Sequence, residues 1–176
     1  MNRIGMSLSG SLVILGALLF LDNRAGGADD PPGTKVRIGT YDNRAIAIAF
    51  VASRFNPTAE KKLAYDKAKA AGDTAKMKEL EAWGPQYQRQ LHFQGFGRAP
   101  VDDLLEPVKA QVAKLARDKQ LAAITMSCDF TGEQVELVDV TDDLVKLYDP
   151  SEKTLKTVRE IRKVKPTKLS ELTDHP

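Results

Sequence analysis

The sequence has little of what small chemical sites are usually built from. It carries one cysteine, Cys128, so no intrachain disulfide can form, and packing or assembly must hold the fold together. Its two histidines, His92 and His175, stand far apart. A zinc site needs three or four nitrogen, sulfur or carboxylate ligands at workable spacing, which one thiol and two distant imidazoles do not supply. Neither sign of charge dominates: 26 basic against 24 acidic side chains leave a formal net charge of +2. That excludes the global basic field of a nucleic-acid binder. The longest uncharged apolar run, residues 11–21 (SLVILGALLFL), falls short of the ~20 residues that cross a bilayer.

That run sits in a pattern of its own. Arg3 supplies a positive start, the apolar run follows, and Ala25-Gly26-Gly27-Ala28 offers small residues for cleavage. This order is that of a secretory leader. The expectation is cleavage after Ala28, a periplasmic or secreted mature chain, and membrane contact only through an uncleaved leader. Residues 29–34 (DDPPGT) then read as a linker.

Within the remaining chain, period-two alternation marks a first strand over 35–41, with Val36, Ile38 and Thr40 on one side. Residues 44–55 (RAIAIAFVASRF) combine strand-like alternation with many alanines; the cap residues Asp42 and Asn43 directly before them favour helix. Asn56-Pro57 restarts a helix over 58–71, Gly72 stops it, and Asp73 caps the next. Met77, Leu80, Gly84, Tyr87 and Leu91 form a short seam along 74–93, interrupted by Pro85. Residues 94–100 read as a loop. Residues 101–120 carry an apolar helical stripe of Val101, Leu104, Leu105, Val108, Val112 and Leu115, with Pro107 in its first turns.

Residues 121–127 (LAAITMS) and 134–140 read as two strands, and the Gly132-containing segment between them as a hairpin turn. Thr141 reads as the cap of a short helix with Asp142 and Asp143 in its first turn. Asp149-Pro150-Ser151-Glu152 reads as a second start, with Asp149 as cap, for a helix that Pro166 ends. The fold class is α+β: a small three-stranded sheet, a long, kinked, projecting helical hairpin over about 44–119, short C-terminal helices, and a loose tail over 166–176.

Catalytic chemistry finds no support in this pattern. Asp102-Asp103 and Asp142-Asp143 fall at helix N-termini, where carboxylates offset the helix dipole. Asp139 with Asp142 and Asp143 lacks the glycine-bearing loop of a calcium site. Gly95-Phe96-Gly97 does not follow a strand and makes a poor phosphate cradle. Cys128 with His92 has no local support as a dyad, and Cys128 reads first as a small buried residue at a strand end. No cofactor or metal is implied. Aromatics interleaved with long polar side chains do suit a contact surface. Met77, Leu80, Trp83, Tyr87, Phe93 and Phe96 are the candidates, either for a partner or for packing within the hairpin. Lysines around Gly72 read as a solvated helix face or as a basic tip for an anionic partner.

The segments 35–46 (KVRIGTYDNRAI), 121–127 and 135–149 (VELVDVTDDLVKLYD) resemble the Skp/OmpH family of periplasmic chaperones. The resemblance covers roughly residues 35–149. It implies a homo-oligomer, a trimer, built through the small sheets, with Val36, Ile38, Val135 and Leu137 in the assembling sheet. It implies that residues 44–119 form an arm holding unfolded or envelope proteins. The arm here is interrupted at Pro57, Gly72, Pro85 and residues 95–100, and the chain extends through residues 152–166. The alternative readings are a scaffold protein of the envelope and a small enzyme using Cys128 or carboxylates.

Overall fold

The computed structural model describes residues 35–97 and 99–166, all within the compact unit Gly33–Pro176. The expected leader, the linker and the tail beyond Pro166 lie outside the described residues. The fold is α+β, and its sheet has three strands: β1 (Val36–Thr40), β2 (Ala123–Thr125) and β3 (Val135–Asp139). Helices α1 (Asn43–Val51), α2 (Thr58–Ala71) and α3 (Thr74–Gly95) separate β1 from α4 (Asp102–Leu105) and α5 (Lys109–Asp118). Helices α6 (Thr141–Lys146) and α7 (Glu152–Lys163) follow β3.

The expected hairpin between β2 and β3 is not formed. Strand order is β2-β1-β3, and both outer strands run parallel to β1. Ile38 is in register with Ala123 on one side and with Leu137 on the other. Two strands that each pair with β1 in parallel are parallel to one another and cannot be joined by a tight turn. The connection over 126–134 must return from the end of β2 to the start of β3, past β1. The path from β1 to β2 runs through helices on one face; the return moves the opposite way across the sheet. A right-handed return then lies over the other face. In agreement, Met126, Ser127 and Cys128 line a cleft with Thr40 and Leu137.

Helix α1 is the centre of the core. Asp42 caps it, accepting from the Arg44 N–H at 3.0 Å. Ala45, Ile46, Ala47, Ala49 and Phe50 are buried with Val101, Leu104, Val108, Val140, Leu144, Val145, Tyr148 and Val158. The alternation that mimicked a strand therefore belongs to a helix buried on nearly every side. The Arg44 guanidinium folds back on the Asp42 carboxylate at 2.6 Å and donates to the Val164 carbonyl at 2.8 Å, tying the start of α1 to the end of α7.

Helices α2 and α3 form the protruding pair. Asn56 Oδ1 accepts from the Thr58 N–H, so Asn56 caps the turn that Pro57 begins. Gly72 takes φ +68° at the bend, and Asp73 accepts from the Lys76 N–H at 2.9 Å. Helix α2 packs chiefly on α3 and buries only Ala68; the C-terminal half of α3 returns to α1. Of the span 44–119, then, α1 is core, and the limb proper is α2 with the first half of α3. Helix α3 continues through Pro85 to Gly95, two residues into the expected loop, where the buried Gln94 side chain donates to the Pro100 carbonyl at 3.0 Å. The stripe over 101–120 is divided: a 3₁₀ turn at Glu106–Val108, around Pro107, separates α4 from α5.

Two capping expectations are corrected. Thr141 does not cap α6; Asp139 Oδ1 accepts from the Thr141 N–H at 2.9 Å and does that work. Asp149 does not cap α7; it turns the chain at φ +52°, and Ser151 accepts from the Thr154 N–H at 3.2 Å.

Candidate functional site

The alternation of β1 and β3 sorts their side chains onto two faces. Gly39, Ile124 and Val140 face the helices: a Cβ on Gly39 would meet the Leu121, Ile124 and Val140 side chains at 3.0–3.2 Å. Val36, Ile38, Val135 and Leu137 share the opposite face. The register places Val36 beside Val135 and Ile38 beside Leu137. None of the four belongs to the core cluster, and Val36 and Leu137 are each 44% exposed. The structure thus brings all four sheet residues singled out in the sequence onto one face outside the core, half-buried at Ile38 and Val135 and exposed at Val36 and Leu137.

Phe130 is a further exposed apolar side chain, and sequence reasoning missed it. It sits on the 126–134 connection and is 87% exposed, the most exposed large apolar side chain among the described residues. The signal was a lone phenylalanine among the polar residues of an expected turn (residues 129–133).

The limb residues divide differently. Leu80 is buried and Met77 half-buried between α2 and α3. Trp83 stacks on Tyr87 with ring centroids 4.6 Å apart, and Lys61 lies over the Trp83 ring at 5.6 Å. The Tyr87 hydroxyl donates to Asn56 Oδ1 at 3.1 Å. Burial, and secondarily the Asp103 charge, raises the Tyr87 pKa. These four side chains lock the limb to its own base. Phe93 and Phe96 remain open, at 37% and 42% exposure. The lysines near Gly72 are balanced: six lysines and five acids lie between Thr58 and Gly84, so the tip carries no strong basic field.

A cleft of about 430 Å³ opens at the carboxyl ends of the three strands, the usual ligand position of parallel sheets. Its polar groups satisfy one another. Arg162 bonds to Asp139 and, at 2.8 Å, to Asp142. The Thr141 hydroxyl donates to Asp139 at 2.6 Å. Burial pushes the Asp139 pKa up, but the Thr141 bonds and the Arg162 charge outweigh it and leave it below its ordinary value. The Cys128 thiol donates to the Phe130 carbonyl at 3.0 Å. His92 lines a different cavity, between helices, so the structure does not join it with Cys128. Asp143 pairs with Lys119 at 3.1 Å, which divides the three carboxylates considered for calcium between two bases. Among the described residues no cluster of three or more His, Cys, Asp or Glu side chains is arranged to hold a metal.

A second cavity, about 590 Å³, lies where α3 and α7 both pack on α1. Among the described residues no helix is long and apolar enough to cross a membrane. No family model, curated protein or solved structure matches the chain.

Proposed function

We propose that this chain is an exported, non-enzymatic binding protein. It self-associates through the sheet face that lies outside the core and holds unfolded or envelope proteins, as its resemblance to the Skp/OmpH chaperones implies. The observation that carries the reading is the convergence of Val36, Ile38, Val135 and Leu137 on one face outside the core, with Val36 and Leu137 exposed. A three-stranded sheet buries little surface alone, and a second copy on that face would complete a two-sided core. Burying one such Leu or Phe side chain contributes about 1.5–3 kcal/mol. The trimer is the assembly that the resemblance implies. The export step rests on the leader pattern of residues 3–28.

A scaffold that docks on one fixed partner is the second reading. It is favoured by the limb, whose Met77, Leu80, Trp83 and Tyr87 are occupied within the hairpin, while Leu63 on α2 and, beyond the limb, Phe93 and Phe96 stay exposed.

Client range separates the two. Purified residues 29–176 are expected to suppress aggregation of several unrelated unfolded membrane proteins at stoichiometric amounts. Failure to suppress any of them would reject the chaperone reading. Binding to a single envelope protein without general suppression would establish the scaffold.

A further inference from the structure

The cavity between α1, α3 and α7 owes its volume to small side chains. Buried Ala47 on α1, exposed Ala52 just past its end and Gly95 on α3 all line it. A Cβ added at Gly95 would meet nothing within 4 Å. Ile48, Val51 and Leu91 supply the apolar surface, and Val51 is 44% exposed. Helix α7 contributes Lys153, Thr154 and Thr157 as one rim.

Two features define what fits. The volume, about 590 Å³, falls within the roughly 300–1,000 Å³ of small-molecule sites, which are mostly apolar with a few oriented polar groups. The charge is one-sided: no aspartate or glutamate lines the groove, Lys153 is its ammonium beside the polar Gln88 and His92, and no carboxylate among the described residues pairs with that ammonium. The Thr157 hydroxyl donates to the Lys153 carbonyl at 3.1 Å, so its proton is already placed and the Lys153 ammonium is the cationic donor on that rim. A purely apolar occupant would leave Lys153 unused, and a polar anion would waste the Ile48–Leu91 surface.

We infer that this groove binds a free amphipathic carboxylate, its acyl chain lying along Ala47, Ile48, Val51 and Leu91 and its anionic head at Lys153. The site is independent of the sheet face and of the chaperone reading.

The test uses residues 29–176 and dodecanoate below its micelle concentration, followed by calorimetry and by NMR. Dodecanoate is expected to bind and to shift the Gly95 amide and the Ile48 and Leu91 methyls. Lys153→Ala is expected to weaken binding about fivefold, and Lys153→Arg to keep it. Gly95→Leu adds a side chain at a lining position where its Cβ meets nothing within 4 Å and is expected to weaken binding while circular dichroism and melting stay unchanged. The inference is overturned if the wild-type chain does not bind dodecanoate, if Gly95→Leu binds it as well, or if dodecyltrimethylammonium binds as tightly. It is also overturned if an acidic apolar peptide shifts these resonances and dodecanoate does not, which would make the occupant a partner protein.

Discussion

Thr141 Oγ1 accepts a hydrogen bond from the backbone N–H of Asp42 at 3.0 Å. Its own proton goes to the Asp139 carboxylate at 2.6 Å. One hydroxyl, 1% exposed, thereby joins the end of β1, the end of β3 and the start of α6. Thr141→Val keeps the shape but strands the Asp42 N–H and one lone pair of Asp139. The expected cost is about 1–3 kcal/mol of stability, read from urea unfolding. A cost within error of zero would remove this residue from the account of the fold.

The same cluster sets an acid limit. The Asp139 pKa is lowered in the folded chain from its ordinary value of 3.8. A carboxylate lowered in this way adds stability that is complete above the unfolded value and disappears as pH falls through the folded one. Stability is therefore expected to fall below about pH 4, and Asp139→Asn to flatten that fall while lowering stability at pH 7. Unfolding curves from pH 7 to pH 2 check the sign; a variant with an unchanged acid slope would contradict it.

The limb should loosen separately from the body. Gly72 bends the chain between α2 and α3 at φ +68°, in open space. Gly72→Ala is strained there by about 1–2 kcal/mol, with no new contact to offset it. Hydrogen exchange is expected to quicken in α2 and the first half of α3 and to stay unchanged in α1 and β1. Uniform acceleration through the core would show that the limb and body open as one unit.

How much of this was legible in the sequence depends on how local each signal is. The helix over 58–71, the Gly72 stop and the Asp73 cap rest on neighbouring residues, and the structure keeps them. The alternation at Val36–Thr40 and Val135–Asp139 fixed the strands and the shared face of Val36, Ile38, Val135 and Leu137. Strand order was not legible. Ala123–Thr125 is too short to advertise its partner, and a glycine-bearing connection reads as a hairpin whether or not β1 comes between. The cap of α6 went to Asp139 because Thr141 is claimed by Asp42, a residue about a hundred positions away that no local pattern reveals. The helical groove has no sequence signature either. Ala47, Ala52, Gly95 and Lys153 are each unremarkable until α1, α3 and α7 meet.

The assembly claim is tested most directly by the solution mass of residues 29–176, measured by light scattering beside Leu137→Asp. Leu137 is 44% exposed and outside the core, so the charge there spares the single chain and burdens the shared face. A defined oligomer is expected for the native sequence, a trimer if the resemblance extends to stoichiometry, and a folded monomer for the variant. A native chain that stays monomeric across the concentration range, or a variant that assembles equally well, would contradict it.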